Sequence, residues 1–283
     1  MEETPAVKEW KPSRTARAVA AERAVLDDLG VIGDPFALRI LGGPMRGVAG
    51  VARRLPRRTW ARSVTLAGLA TRVRWFDAEV LDGIAAGAVQ VVTVGAGYDA
   101  RPWRFPRAGV RYFEVDHPAT QADKRRCAPD DGPTYVAADL LGDDMATELL
   151  RAGLDPAAPS VVVVEGVTMY LDEDVVRRQL AALRSVSAPS SRLAVDFYPA
   201  SRPALGTHRR QLLLQRVARI GSSEGFRLGV DSSEAGALVA DSGWDPVRVV
   251  TDREAATSMG PPDAGLPTTS LSGKKTYVAA IAG

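Results

Sequence analysis

The chain has 283 residues, 46% apolar and 25% charged, with 36 basic side chains against 34 acidic ones, which describes an ordinary globular enzyme-sized unit and excludes a disordered chain. The near-cancelling charge offers nucleic acid no global field, although Arg46 to Arg74 is locally arginine-rich, and one cysteine (Cys127) with two histidines (His117, His208) excludes an intramolecular disulfide and argues against a zinc centre. No apolar run reaches the roughly 18–20 residues of a bilayer span, and Met1–Trp10 lacks an apolar signal core, so no membrane association is expected and the expected compartment is the cytoplasm.

From Pro12 to about Ala88 the pattern is helical. Arg17, Ala20, Ala21, Ala24, Val25 and Leu29 recur at helical spacing, Pro35 opens a further turn, and Arg72–Ile84 is amphipathic. Residues 1–88 therefore read as an N-terminal helical cap, and 89–283 as the core. In the core, short β-branched runs alternate with helix-length segments: Gln90–Val94, Arg111–Val115, Thr134–Ala137, Ser160–Glu165 and Leu193–Phe197. Such alternation predicts βαβ units and a parallel sheet, with the all-valine run 161–164 as a central strand covered on both faces. Residues 202–226, partly helical at Arg209–Ile220, have the character of a substrate lid. Two last strands, Pro246–Thr251 and Thr276–Ala280, are expected to pair antiparallel across a Gly-, Pro-, Ser- and Thr-rich loop, Thr257–Ser272. The predicted fold is thus α/β: a Rossmann-like, seven-stranded, mostly parallel sheet with an antiparallel final strand, plus the helical cap.

Candidate chemistry gathers where strands end. After the first strand comes the turn Gly95-Ala96-Gly97, whose glycines let backbone amides approach an adenosine-type ligand at the carboxyl edge of the sheet. Asp116 closes the second strand, 21 residues beyond Gly95, and a carboxylate there can accept from both ribose hydroxyls. It can equally cap a helix, since Pro118 stands in the first turn that would follow. Asp139 follows the third strand, placed to accept from an adenine amino group while Leu140 packs on the ring. Glu165 ends the all-apolar fourth strand, a position that folding alone does not explain. The spacing Gly95-x-Gly97-x-x-Ala100 with Asp116 also satisfies the dinucleotide fingerprint, so a nicotinamide-dependent oxidoreductase is a rival. Against it stand the preceding helical region, the added carboxylates after strands three and four, and the lack of a Tyr-x-x-x-Lys pair.

Five segments carry a further likeness: Arg72-Val73-Arg74-Trp75-Phe76-Asp77, Val94 to Arg101, Tyr112 to Pro118, Ala138-Asp139-Leu140 and Glu165 to Leu171. In order and spacing they resemble the leucine carboxyl methyltransferases together with the bacterial polyketide-type O-methyltransferases. Ser13-Arg14-Thr15-Ala16, Ala20 to Ala24 and Asp34-Pro35-Phe36-Ala37 are similar to the N-terminal portion of the bacterial members. The resemblance implies S-adenosyl-L-methionine as cofactor, with Arg72 on its carboxylate, Gly95 and Gly97 lining it, Asp116 on the ribose, Asp139 and Leu140 at the adenine, and Glu165 near the amine. A guanidinium and a carboxylate complement that zwitterion. His117 departs from the family's usual side chain after the ribose aspartate, and residues 202–272 show little match.

The expected activity is therefore O-methylation of a carboxyl or hydroxyl on a small molecule, polyketide-like or another secondary metabolite. A carboxylate acceptor needs no base, whereas a hydroxyl gains about 10²–10⁴-fold from one. Base or orienting candidates are His208, Tyr170, Tyr198 and Asp196. A homodimer is compatible with the sequence, and a non-catalytic nucleoside-binding module is the third reading.

Overall fold

The computed structural model describes residues 12–60, 62–142, 144–200, 226–260 and 265–283. Seven strands form one sheet: β1 (Gln90–Val94), β2 (Arg111–Asp116), β3 (Thr134–Ala137), β4 (Ser160–Val164), β5 (Arg192–Phe197), β6 (Asp245–Thr251) and β7 (Thr276–Ile281). Their order is β3-β2-β1-β4-β5-β7-β6, with β7 antiparallel to both neighbours and the other pairs parallel. This is the sheet the strand pattern predicts. β1 and β4 are buried along their whole length, as two-sided apolar strands must be, and Val161 to Val164 divide alternately between the two cores.

The order reverses direction at β1, which lies between β2 and β4. Open α/β sheets bind ligands in the crevice beyond the strand ends at such a point. Register makes the consequence specific: Val94 pairs with Val115 of β2 and with Val164 of β4. The next residues, Gly95, Asp116 and Glu165, therefore stand side by side at the carboxyl edge of the sheet.

Among the described residues the α-helices are α1 (Arg14–Asp28), α2 (Gly43–Arg53), α3 (Val64–Ala85), α4 (Arg101–Arg104), α5 (Pro118–Arg125), α6 (Met145–Arg151), α7 (Glu173–Ser185), α8 (Ser232–Asp241) and α9 (Asp252–Ser258). Serine side chains start the first and third: Ser13 Oγ accepts from the Ala16 amide and Ser63 Oγ from the Leu66 amide. One face of the sheet is covered by α6, α7 and α8 through Leu149, Val176, Leu180, Leu183, Leu238 and Val239, where Trp244 Nε1 also donates to the Leu180 carbonyl at 2.9 Å.

The 22-residue α3 serves two cores. Its first half packs Leu66, Leu69, Ala70 and Val73 against Val25 and Leu26 of α1 and Leu29 just after it. Its second half lays Trp75, Phe76 and Val80 on Val91, Val161 and Val163 of the sheet. Trp75 stacks on Tyr277 with ring centroids 5.1 Å apart, and Gly83 passes so close to β4 that a Cβ there would lie 2.2 Å from Val161 Cγ2. At the other end of the chain the structure differs from expectation. The expected loop Thr257–Ser272 is shortened at its start, since α9 runs from Asp252 to Ser258 and is opened by a capping box between Thr251 and Glu254.

Candidate active site

Above the carboxyl ends of β1, β2, β3 and β4 lies a cavity of about 740 Å³, walled on the opposite side by α1 and α3. Of the residues singled out from sequence, Arg72, Gly95, Gly97, Asp116, Asp139, Leu140, Glu165, Tyr170 and Tyr198 all line it. His208, and residues 202–225 of the 202–226 segment expected as a lid, lie outside the described residues. Asp196 does not line the cavity. Its Oδ1 accepts the Gly166 amide at 2.7 Å and its main-chain carbonyl accepts from the Thr168 hydroxyl, so it shapes the turn after β4 from beneath.

The turn after β1 is held by the carboxylate beside it. Gly95 and Gly97 have φ of 62° and 51°, the left-handed region that glycine enters without strain. Asp116 Oδ2 accepts the Gly97 amide at 2.5 Å, and Oδ1 accepts the His117 amide at 2.6 Å. Asp116 thus has a structural duty alongside any ligand. It does not cap α5; His117 does, its Nδ1 accepting from the Ala119 amide. Burial raises the Asp116 carboxyl above the ordinary aspartate range, against the two amides that favour its charge. Asp139 Oδ1 accepts the Leu141 amide at 3.0 Å, while Leu140 borders the core, leaving both at the β3 end of the cavity.

At the β4 end, Arg72 donates from Nε to Glu165 Oε1 at 3.0 Å and from a terminal nitrogen to the Tyr198 hydroxyl at 3.0 Å. The two groups assigned by resemblance to opposite ends of a zwitterion are thus partners of each other. A second guanidinium completes the cluster: Arg101, 3% exposed, donates to Glu165 Oε2 (2.6 Å), Asp77 Oδ1 (2.8 Å) and Asp99 Oδ2 (2.6 Å). Burial opposes the charge of Glu165, but Arg101 and then Arg72 outweigh it and hold the carboxyl below the ordinary glutamate range. Asp99 is held low by Arg101, Arg23 and Lys124, again against burial. Sequence reasoning missed Arg101 and Asp99 as site-builders. Their positions, four and two residues beyond Gly97, were the available signal.

The mouth is aromatic. The Phe226 ring lies 5.7 Å from the Tyr170 ring and 5.7 Å from the Tyr198 ring, and Lys275 Nζ sits 4.2 Å from the Tyr198 ring centroid. From the other wall, α1 contributes Ala16, Val19 and Glu22. Three long-range links fix that helix: Ser13 to Thr120, Arg17 to Asp123 and Tyr98, and Arg23 to Asp34 and the Tyr98 carbonyl.

The sequence model of the leucine carboxyl methyltransferases matches residues 13–184, more than half of the chain and all of the cavity-forming part up to α7. The chain belongs to the leucine carboxyl methyltransferase family. A protein of Mycobacterium avium strain 104, provisionally named an S-adenosyl-L-methionine-dependent methyltransferase, is 30% identical over 264 residues, covering 84% of each chain. A similarly named protein of Parafrankia sp. strain EAN1pec is 43% identical over 135 residues, 45% of this chain and 43% of its own length. Among solved structures, a provisionally assigned methyltransferase of Thermobifida fusca YX shares the fold, with a TM-score of 0.56 over 98% of this chain and 97% of its own at 20% identity. As a member of this family the chain is an S-adenosyl-L-methionine-dependent methyltransferase. The cavity fits that cofactor in kind, since it offers buried cations and carboxylates at one end and a glycine turn beside a half-buried aspartate at the other.

Proposed function

We propose that the enzyme transfers a methyl group to an oxygen of a small organic molecule, in the manner expected of a secondary-metabolite O-methyltransferase. The observation that carries this reading is the register of β1, β2 and β4. It delivers Gly95, Asp116 and Glu165 to one edge of one cavity, opposite Arg72. In this reading Asp116 takes the ribose hydroxyls and Asp139 with Leu140 takes the adenine. Gly95 and Gly97 lie along the nucleoside, and the Arg72–Glu165 pair receives the methionyl carboxylate and amine. When bound, S-adenosyl-L-methionine supplies an electrophilic methyl on a sulfonium. The protein's task is then to hold an acceptor oxygen in line with it, excluded from bulk water.

Room for a second molecule supports a small acceptor. A volume of about 740 Å³ is in the upper part of the range for ligand pockets, roughly 300–1,000 Å³. Tyr170, Tyr198 and Phe226 give its mouth flat apolar walls, suited to an unsaturated ring. The test is incubation of the enzyme and methyl-labelled cofactor with extract, followed by ultrafiltration. Label in the low-mass fraction as base-stable ether or base-labile ester is expected. Label confined to protein, or on nitrogen or carbon, would overturn the reading.

A further inference from the structure

Most charged groups lining the cavity are already committed. Of its carboxylates, Asp99 and Glu165 are bound by Arg101, Asp116 by two amides and Asp139 by one. Of its guanidinium groups, Arg23 pairs with Asp34, Arg72 with Glu165 and Arg227 with Asp172. Two groups stand apart. Among the described residues Glu22 makes no hydrogen bond, and Lys275 has no carboxylate within ion-pair distance, its ammonium meeting only the face of Tyr198. Both lie at the Arg72 and Tyr198 end, away from Asp116 and Asp139, and the charges of Arg72 and Lys275 act on Glu22.

We infer that Glu22 and Lys275 form the acceptor subsite and that the acceptor is a phenolic or enolic hydroxyl, Glu22 acting as general base and Lys275 stabilising the oxygen as its charge develops. The inference rests on the methyl-transfer reading and selects hydroxyl over carboxyl within it. In the step, the Glu22 carboxylate takes the hydroxyl proton while an oxygen lone pair bonds to the methyl carbon. The carbon–sulfur bond breaks, its electron pair staying on sulfur, and the proton later passes from Glu22 to water. The products are a methyl ether and S-adenosylhomocysteine.

Three features favour a hydroxyl. A carboxylic acid acceptor is ionised at neutral pH, so a base would be idle and a nearby Glu22 carboxylate would repel it. A planar hydroxyaromatic or enol matches the rings of Tyr170, Tyr198 and Phe226. Burial pushes the Glu22 carboxyl up to about 7, against Arg72 and Lys275, which suits a base working near neutral pH. The charged groups acting on it are Arg72 of α3 and Lys275, the residue before β7, while Glu165 and Tyr198 line the same cavity. On α2, Arg46 is exposed and Arg53 pairs with Asp28.

The test offers the enzyme and S-adenosyl-L-methionine two acceptor sets, substituted phenols and the matching benzoic acids. Methyl ethers are expected; methyl esters alone, or no product from either set, overturn the inference. Glu22→Gln should lower kcat/KM for an unactivated phenol about 10²–10⁴-fold. It should cost far less with 4-nitrophenol assayed above that phenol's own pKa, where the phenolate predominates, and it should remove the rise in rate with pH near neutrality for unactivated phenols. Lys275→Met should slow both phenols, by about 10²-fold or more. A uniform loss across phenols in Glu22→Gln would make Glu22 structural and overturn its role. An assay independent of turnover is ¹³C NMR of the enzyme labelled at glutamate carboxyls. The resonance missing from Glu22→Gln should titrate near neutral pH, and titration in the ordinary glutamate range overturns the base. Cofactor affinity by calorimetry separates the two levels. If the wild type fails to bind S-adenosyl-L-methionine the methyl-transfer reading fails, whereas binding with ester-only products removes only this inference.

Discussion

Asp116 has two tasks that separate by substitution. In Asp116→Asn one oxygen still accepts an amide, so the glycine turn keeps part of its anchor while a charge-assisted bond to a ligand is lost. In Asp116→Ala both go. Calorimetry with S-adenosylhomocysteine should show Asp116→Ala binding weaker by about 1.5–3 kcal/mol, the range for hydrogen bonds to charged groups, with Asp116→Asn between it and wild type. Equal affinity in all three would remove Asp116 from the site. Arg101 gives a different kind of prediction. It is buried among Asp77, Asp99 and Glu165, so Arg101→Met leaves Asp99 and Glu165 without their main counter-charge and Asp77 with Arg104 alone. Denaturant unfolding should report a loss of about 3–5 kcal/mol, the scale for breaking a buried pair. The difference in legibility is physical. Asp116 and Glu165 announce themselves because a carboxylate at the end of an apolar strand is an anomaly in one dimension. Arg101 does not, because Arg-Pro-Trp-Arg reads as an ordinary helix start, and only the folded turn aims its guanidinium at partners 24 and 64 residues distant.

Elements were legible in proportion to how local their causes are. The β-branched runs marked every strand within a residue or two, and the valine run marked β4 as central, because two-sided burial leaves a continuous apolar signature. What the sequence concealed was the double use of α3. Its periodicity is the same whether the apolar stripe meets another helix or a sheet, so Leu66 to Val73 facing α1 and Trp75 to Val80 facing β1 and β4 look alike until folded. Gly83 is the contact that fixes this packing. Gly83→Ala would place a methyl 2.2 Å from Val161 Cγ2 and force α3 off the strand. Overpacking of this sort typically costs about 1–3 kcal/mol, less the few tenths to one that alanine gains as a helix former. Thermal unfolding should fall in Gly83→Ala. If it rises, α3 has slack against the sheet that the contact denies.

For the molecule as a whole, two sets of carboxyls pull stability in opposite directions with pH. Glu22 and Glu114 are both raised to about 7 by burial, the latter despite its 2.5 Å bond from Lys124. A raised carboxyl binds its proton more tightly in the folded state. Its contribution is whole below the unfolded value and is lost as pH climbs through about 7. Asp99 and Glu165 are lowered, so their contribution is present above the ordinary carboxylate range and lost as pH falls below it. Stability should therefore peak near the ordinary carboxylate range. Urea midpoints should decline between about pH 5 and 7, and decline less in Glu22→Gln. A midpoint that rises through that interval would contradict the burial described for both groups.

The wall that α1 supplies to the cavity also bears on how the chain is made. Ser13 and Arg17 find their partners in Thr120 and Asp123, 107 and 106 positions later. At about 5–20 residues per second, a helix that leaves the ribosome early waits on the order of 5–20 s before the residues that will hold it exist. Until then Val25, Leu26 and Leu29 have little besides α2 and α3 to cover them, and the site cannot close. Synthesis rate and chaperone supply thus join sequence in setting the yield of active enzyme. Overexpression at low temperature should recover more soluble protein than refolding from inclusion bodies.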